Sequence, residues 1–309
     1  MIKELDFKGE KGILIESQEL SVLVLPAIGG KLASIYNKEK DFELLYQNQE
    51  EYYKKPFLHA SFEEFDRAGY DDCFPTIDVS KVKLSDKEVL YPDHGEIWTS
   101  SFDYSVEGET LKLVMRSAIL PYEYKKEISV QHDKVNVKYS IANTGEEDFP
   151  MIWAMHCLVN AEEQMTVNFP EGTKSMENVH ESQRLGEMGV VYSYPVDKDL
   201  QGNVYDFRKI RGPEADNTEK YYVAHKVEKG QCSIHYPSKD VDFIIDYDSE
   251  KLPYLGFWLS EGGFRGDYNC ALEPTNGYYD SIDIAAAKGK LAYLKAQETL
   301  EFNIAIELK

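Results

Sequence analysis

The side chains best suited to acid–base chemistry in this sequence are one glutamate and two histidines on three separate segments. Glu273 lies in CALEP, behind two apolar residues and directly before a proline. His156 lies in the apolar segment WAMHCLVN, and His94 lies in YPDHGEIWTS. Carboxyl and imidazole groups titrate near pH values of about 4.3 and 6.5, so one can accept a proton while the other donates one. Each residue also fits a purely structural role. Glu273 could be an exposed acid at a strand end, His156 a buried core histidine and His94 a solvated turn histidine.

A second set of polar side chains occurs in FDRAGYDDCFPTI, where Arg67, Asp71 and Asp72 lie on either side of a glycine. An arginine near two aspartates can form a local salt bridge, which stabilises a protein little when it is exposed. A planar guanidinium can equally hold vicinal hydroxyls or a carboxylate of a ligand. Both interpretations are open, and Arg67 and Asp72 are candidate substrate contacts.

Apolar and polar residues alternate with a period of two along most of the chain, which is typical of half-buried strands. The clearest examples are residues 135–141, 109–118, 231–237 and 299–309. Short glycine-containing turns separate them and indicate antiparallel connections. Because each sheet must cover its apolar face, the pattern predicts an all-β fold, a single large antiparallel β-sandwich domain spanning residues 1–309. The segment 48–65 predicts at most a short helix or two.

These strands must position the reactive side chains. Pro274 cannot donate to a strand ladder, so Glu273 is expected at the end of its strand, at the rim of a sheet. His156 is expected on a strand buried on both faces. His94 is expected on a turn that leads into a strand carrying Trp98.

The composition excludes several classes of partner. Lys and Arg number 34 and Asp and Glu number 55, which gives a formal charge of −21. This charge repels phosphate backbones and anionic lipids, so neither nucleic acid nor membrane partners are expected. The four cysteines lack metal-ligand spacing and predict buried thiols and no metal site. Without a leader or an apolar run of about 20 residues, we expect a cytoplasmic protein, either a monomer or a homodimer.

Five segments taken in chain order resemble the galactose mutarotase superfamily, the aldose 1-epimerases and their relatives. They are PAIGGKLASIYN, DHGEIW, WAMHCLVN, DFRKI and ALEPTNGYYDS. The ordered set spans nearly the whole chain, although no single motif is decisive. The resemblance implies a β-supersandwich with a sugar-binding cleft on one sheet, in a divergent member of the superfamily.

The resemblance also implies roles for individual residues. His156 matches the catalytic acid of the family, Glu273 matches its catalytic base, and His94 and Arg67 match substrate-binding residues. Such a pair interconverts sugar anomers by taking the C1 hydroxyl proton and protonating the ring oxygen, with no cofactor or metal. We expect a carboxylate facing a protonated imidazole as the starting state, because each stabilises the charge of the other.

The chain departs from the family pattern in DNTEKYYVAHKV, where Lys220 or Glu219 stands near the place of an aspartate that binds sugar hydroxyls. A lysine there suggests an acidic or phosphorylated sugar, so Lys220 is a further candidate substrate contact. His156 is followed by Cys-Leu-Val-Asn rather than by the usual residues of the family. Tyr278 and Tyr279 either stack on a sugar or close the core.

Two other functions are compatible with the same residues. The first is a carbohydrate-binding protein that has kept the cleft and lost turnover. The second is a glycoside-processing enzyme, which normally needs two carboxylates. Asp71, Asp72 or Glu261 could supply the second one, but the sequence offers one well-placed carboxylate and one histidine, so an epimerase is the preferred interpretation.

Overall fold

The computed structural model describes residues 1–65, 67–85 and 87–309, and most of its regular structure is antiparallel β-sheet. The strands form where apolar residues alternate with polar ones. In the segment Lys134–Asn143, Val135 and Val137 are fully buried, while Lys138 between two buried neighbours is exposed. Burying one such aliphatic side chain stabilises the fold by roughly 1.5–3 kcal/mol relative to leaving it in water. The predicted all-β class is confirmed.

The strands, numbered in chain order, are β1 (Ile2–Phe7), β2 (Glu10–Glu16), β3 (Leu20–Leu25), β4 (Lys31–Asn37), β5 (Phe42–Glu43), β6 (Tyr70–Cys73), β7 (Ser80–Leu84), β8 (Lys87–Tyr91), β9 (Asp103–Glu107), β10 (Thr110–Arg116), β11 (Tyr122–Gln131), β12 (Lys134–Asn143), β13 (Phe149–Met151), β14 (Ala154–Cys157), β15 (Val159–Asn160), β16 (Thr166–Asn168), β17 (Ser175–Asn178), β18 (Val191–Ser193), β19 (Val196–Lys198), β20 (Val204–Asp206), β21 (Asn217–Val223), β22 (Gln231–Tyr236), β23 (Val241–Tyr247), β24 (Tyr254–Glu261), β25 (Tyr268–Thr275), β26 (Ala292–Leu294) and β27 (Thr299–Leu308). The helical segments are three 3-10 turns, Phe62–Glu64, Ile97–Thr99 and Pro213–Ala215, and one α-helix, α1 (Ile282–Ala287).

Two large sheets contain most of the strands. The larger sheet has the order β1-β2-β3-β4-β6-β14-β25-β24-β21-β17-β18, with β5 paired to β4 and β15 paired to β25. The second sheet has the order β16-β22-β23-β27-β12-β11-β10-β9. Three two-stranded sheets, β13-β26, β19-β20 and β7-β8, flank them. Both large sheets are antiparallel, as the short turns in the sequence predict.

The two large sheets pack face to face around an apolar cluster, which confirms the predicted sandwich. Val22 and Ile35 of the larger sheet belong to the same cluster as Val137 and Ile304 of the second sheet. A polar contact also crosses the layers, since the hydroxyl oxygens of Tyr70 and Tyr139 lie 2.6 Å apart. The four cysteines are buried and free, as the sequence predicts.

The predicted position of Glu273 at a strand end is wrong. Strand β25 continues through Pro274 to Thr275, and Leu255 of β24 lies opposite the proline. A proline removes one backbone donor, and the neighbouring pairs of the ladder hold the strand together around it. Glu273 therefore lies inside the sheet, where only 1% of its surface is exposed.

Within 48–65, the described residues form only the 3-10 turn Phe62–Glu64, which agrees with the prediction of at most a short helix or two. The strand predicted at Trp98 is wrong. Trp98 lies in the 3-10 turn Ile97–Thr99 rather than on a strand. The helix α1 is not predicted from the sequence, because its six residues are too few to show a helical period. Among the described residues, no helix has both the length and the apolar character that crossing a bilayer requires.

Candidate functional site

A cavity of about 830 Å³ lies over the larger sheet, on the face that points away from the second sheet. Four adjacent strands, β14, β25, β24 and β21, form its floor and contribute His156, Glu273, Trp258 and Lys220. Cavities that bind small molecules typically have volumes of roughly 300–1,000 Å³. The size and position of this cavity make it the candidate functional site.

His156 and Glu273 lie opposite each other on this floor. Ala154 pairs with Thr275 and Val159 pairs with Cys270, and the same register sets His156 of β14 against Glu273 of β25. Directly opposed residues of antiparallel strands share one face, with Cβ atoms roughly 4.5–5.5 Å apart. The structure thus brings together the two predicted catalytic residues, which are far apart in the sequence.

Gly256 of β24 makes room for the Glu273 carboxylate. It lies opposite Glu273 in the ladder, and a Cβ atom at this position would lie 3.1 Å from Oε2 of Glu273. The same atom would lie 3.0 Å from Cζ of Tyr222. These contacts are tighter than ordinary van der Waals packing, so an alanine here would displace the carboxylate or the tyrosine ring.

The Glu273 carboxylate has unsatisfied hydrogen-bonding capacity. Neither of its oxygens has a hydrogen-bond partner among the described residues. Nζ of Lys220 lies 3.2 Å from Oε2 and forms an ion pair with it. Burial raises the pKa of Glu273, and the positive charge of Lys220 opposes that rise.

His156 is buried and uncharged at neutral pH. Its Nδ1 atom is shielded from solvent and has no hydrogen-bond partner within the described parts of the chain. Burial, together with the positive charges of His94 and Lys220, lowers the pKa of His156 well below its usual value. Burial therefore disfavours the predicted starting state, a protonated imidazole facing a carboxylate, because it penalises the charged form of the imidazole.

His94 forms an aromatic wall beside His156. It lies on a turn, as predicted, with a positive φ of 55°. Its ring stacks on Phe62 with a centroid distance of 4.2 Å and meets the His156 ring edge-on at 5.1 Å. Nδ1 of His94 lies 2.7 Å from Oδ1 of Asp93, whose Oδ2 accepts a hydrogen bond from the backbone N–H of Phe62. These contacts fix the orientation of the imidazole at the cavity.

Lys220 lines the cavity, but two carboxylates compensate its charge. Nζ lies 2.8 Å from Oδ2 of Asp280 and 3.2 Å from Oε2 of Glu273. Burial by itself would lower the pKa of Lys220, but the charges of Asp280 and Glu273 outweigh it and raise the pKa. The hydroxyl of Tyr222 also donates a hydrogen bond to Asp280. Lys220 is therefore a protonated cation held between two anions.

Arg67 lies at the other end of the cavity. Its Nε lies 3.6 Å from Oδ2 of Asp267, and a quarter of its side chain is exposed. Oδ1 of Asp267 accepts a hydrogen bond from the hydroxyl of Tyr46. Arg67 is placed where it could reach a ligand, with its charge partly compensated.

The prediction that Asp72 contacts the substrate is wrong, because Asp72 lies on the other face of the sheet. Successive strand residues point to opposite faces, and Asp72 faces the second sheet, while its neighbour Asp71 shares the face of His156. The Asp72 carboxylate is fully buried, 2.7 Å from Nζ of Lys126 and 2.9 Å from the hydroxyl of Tyr139. Asp72 therefore holds the two layers together and does not line the cavity.

The glycoside-processing alternative finds no support in the positions of its carboxylates. Asp71 forms a buried ion pair with Lys31 at 2.9 Å. The fully buried Glu261 lies 2.7 Å from Nη2 of Arg211. Neither residue lines the cavity. Their charges stabilise other parts of the fold.

Tyr278 and Tyr279 close the core and do not face a ligand. They are 0% and 3% exposed, and both hydroxyls donate hydrogen bonds to Glu177. Sequence reasoning missed two cavity residues, Asp280 and Trp258. Asp280 directly follows the two tyrosines in the ALEPTNGYYDS segment, and Trp258 is two residues from Gly256 on the same face of β24. Neither residue could be assigned to the cavity without the tertiary structure.

Comparisons with known proteins identify the family and the fold. A family model described as "Domain of unknown function (DUF4432)" matches residues 95–308, more than half of the chain. The chain belongs to the DUF4432 family. The part that matches this family includes His156, Lys220 and Glu273. No curated protein matches the sequence.

Solved structures of proteins described as galactose mutarotase-like or related share this fold over nearly their whole lengths. A galactose mutarotase-like protein from Lactobacillus casei is 18% identical with a TM-score of 0.67, and the match covers 96% of this chain and 100% of that one. One from Clostridium acetobutylicum is 14% identical with a TM-score of 0.67, covering 100% and 98%. A galactose mutarotase related enzyme from Lactobacillus acidophilus is 12% identical with a TM-score of 0.69, covering 96% and 97%. At these identities the likeness confirms the predicted resemblance at the level of the fold.

Proposed function

We propose that this member of the DUF4432 family is a carbohydrate epimerase of the aldose 1-epimerase type, acting on an uncharged sugar. The observation that carries the proposal is the placement of His156 opposite Glu273 on the floor of a cavity large enough to hold a sugar. Both side chains have polar atoms without hydrogen-bond partners in the described structure. Buried polar groups normally have partners, so the fold itself leaves part of the hydrogen-bonding capacity of these two side chains unused.

The pair can open and close a sugar ring by moving two protons. One group takes the proton of the C1 hydroxyl, the C1–O5 bond breaks as the carbonyl forms, and the other group protonates O5. Rotation about C1–C2 and reversal of these steps give the other anomer. A coupled pair holding one proton serves this reaction, because one member is always ready to donate and the other to accept. Burial favours neutral His156 with protonated Glu273, and Lys220 favours the carboxylate of Glu273.

The charges of the cavity support an uncharged sugar rather than an acidic or phosphorylated one. The described lining residues include two permanent cations, Arg67 and Lys220, and eight carboxylate residues. Both cations already face carboxylates. A phosphate or carboxylate group would enter a field of the same sign as its own, which disfavours its binding.

The experiment is anomer exchange measured by NMR on glucose, galactose, mannose, xylose, glucuronate and glucose 6-phosphate. We expect acceleration of at least one neutral aldose and weaker acceleration of both anionic sugars. Glu273→Gln and His156→Gln should each reduce the acceleration by roughly 10²–10⁴-fold, the typical contribution of a positioned acid or base. The matched controls are Glu301→Gln and His132→Gln. Both change an exposed residue of the same type and should leave the rate unchanged.

Two outcomes would contradict the proposal. One is a wild-type protein that leaves every sugar at its background exchange rate, and calorimetric sugar binding would then identify a carbohydrate-binding protein. The other is a Glu273→Gln or His156→Gln protein that is folded by circular dichroism and as active as wild type. A preference for glucuronate or glucose 6-phosphate would overturn only the choice of an uncharged sugar.

A further inference from the structure

The cavity extends well beyond the acid–base pair. Glu273 and Asn269 both line it from strand β25, four residues apart, which corresponds to roughly 13 Å along a strand. On β21 the lining likewise continues from Lys220 to Thr218. Trp258 of β24 lies between these ends, opposite Ala271 in the ladder. The floor thus has an inner end at Glu273 and an outer end at Asn269.

The volume of the cavity exceeds that of one sugar ring. A hexose has twelve non-hydrogen atoms, and even at about 30 Å³ for each, the share of a whole water molecule, it fills roughly 360 Å³. The cavity measures about 830 Å³. More than half of the space is therefore left when a monosaccharide lies on His156 and Glu273.

The outer end has the chemistry of a sugar-binding surface. Trp258 is only partly buried, and its Nε1 donates a hydrogen bond of 3.2 Å to Oδ1 of Asn269, which fixes the plane of the indole. Phe264 packs edge-on against it with a centroid distance of 5.4 Å. A rigid aromatic face offers a large apolar area at low entropic cost to the C–H face of a pyranose.

Polar side chains also line the cavity at this end of strands β21 and β25. Oγ1 of Thr218 and Oδ2 of Asp267 have no hydrogen-bond partner among the residues that the structure describes. Both residues line the cavity, and Nε of Arg67 lies 3.6 Å from the same Asp267 oxygen. Thr218, Asp267 and Arg67 thus place a hydroxyl, a carboxylate and a guanidinium in the cavity lining, the kinds of group that hydrogen-bond the hydroxyls of a sugar unit.

We propose that the outer end of the cavity is a second sugar subsite, so that the substrate is an oligosaccharide with a free reducing end. Its reducing-end unit lies on His156 and Glu273, and its next unit lies against Trp258. This inference rests on the proposed function for the chemistry at the inner end. The subsite itself is defined by Trp258, Phe264, Thr218 and Asp267.

The test compares sugars that differ only by the second unit. Calorimetry and anomer exchange are measured for glucose against maltose, cellobiose and lactose, for galactose against β-1,4-galactobiose, and for mannose against β-1,4-mannobiose. We expect at least one disaccharide to bind at least tenfold more tightly than the monosaccharide that forms its reducing end. In Trp258→Ala this ratio should fall towards one.

A second variant and a control keep the test decisive. Phe264→Ala removes the ring that packs on Trp258 from a loop, and it should lower the same ratio if Trp258→Ala does not fold. Tyr293→Ala removes an aromatic side chain that is 55% exposed and outside the cavity lining, and it should leave the ratio unchanged. A ratio that both cavity variants leave at its wild-type value would overturn the subsite.

The outcomes separate the subsite from the catalytic proposal. Anomer exchange of monosaccharides without any tighter disaccharide would overturn the subsite and leave the epimerase in place. Tighter disaccharide binding that Trp258→Ala abolishes, without exchange of any sugar, would support the subsite and overturn the epimerase. If no sugar binds and none is exchanged, both are wrong.

Discussion

Removal of the positive charge of Lys126 should strongly destabilise the fold. Nζ of Lys126 lies 2.7 Å from Oδ2 of Asp72, and both side chains are 0% exposed. In Lys126→Met the Asp72 carboxylate loses its cation and keeps neutral partners such as the hydroxyl of Tyr139. Breaking a buried ion pair from one side typically costs about 3–5 kcal/mol, because the remaining charge is buried without compensation.

Removing both charges should restore much of this stability. Replacement of a buried pair by apolar residues is often neutral or stabilising, so Lys126→Met with Asp72→Leu should be at least about 2 kcal/mol more stable than Lys126→Met alone. The Tyr139 hydroxyl then retains Tyr70 as a partner at 2.6 Å. Because Asp72 lies outside the cavity, the double variant should also keep the wild-type sugar affinity.

Urea unfolding monitored by tryptophan fluorescence gives the free energies of unfolding that test this reasoning. Lys138→Met is a matched control on the neighbouring strand, because its side chain is 54% exposed and the variant should change stability by no more than about 0.5 kcal/mol. A cost for Lys126→Met below about 1 kcal/mol would refute the argument. A double variant no more stable than the single one, or one that loses sugar binding, would refute it as well.

Three further predictions concern the cavity floor. Gly256→Ala should cost about 1–3 kcal/mol in urea unfolding and lower kcat, because its Cβ crowds the Glu273 carboxylate; unchanged kcat would contradict this. Lys220→Met should raise the pKa of Glu273, because a cation 3.2 Å away is lost, so the limb of the kcat/KM pH profile that reports Glu273 should move to higher pH; an unmoved limb would be inconsistent with the pairing. The pKa of His156 is lowered in the folded protein, so below pH 6.5, the pKa of the unfolded chain, the unfolded chain binds this proton more readily than the folded one. Stability therefore decreases as the pH decreases. Relative to His156→Gln, the wild type should therefore lose stability more steeply as the pH falls from 6 to 5, by at most about 1.4 kcal/mol per pH unit for one proton, and parallel stability curves would contradict this.

The strands of the sandwich were predictable because their pattern is local. In β12 and β27 every second residue is apolar, and these residues are the ones that the two sheets bury. The motif around Glu273 also indicated that this residue lies at the candidate site, as its place in the cavity lining shows, but it did not indicate its depth. Pro274 indicates a strand end only when neighbouring strands do not continue past it, and here β24 does.

The face on which a side chain lies was harder to predict. All four residues of β6 are buried, so the sequence shows no alternation that would tell the face of Asp71 from that of Asp72. The ladder with β14 decides it, and that pairing joins segments about eighty residues apart. The same holds for Lys220, whose neutralisation by Asp280 depends on a contact between strand β21 and the residues after β25. The charge balance of the site therefore depends on tertiary contacts that the local sequence does not reveal.

The most direct test of the central claim is a crystal structure of the Glu273→Gln protein with a neutral aldose or disaccharide bound. The account predicts a reducing-end ring on the cavity floor, with its C1 oxygen and its ring oxygen at about 2.6–3.2 Å from the side chains of residues 273 and 156. A sugar bound outside the cavity, or one whose anomeric carbon points away from both side chains, would contradict it.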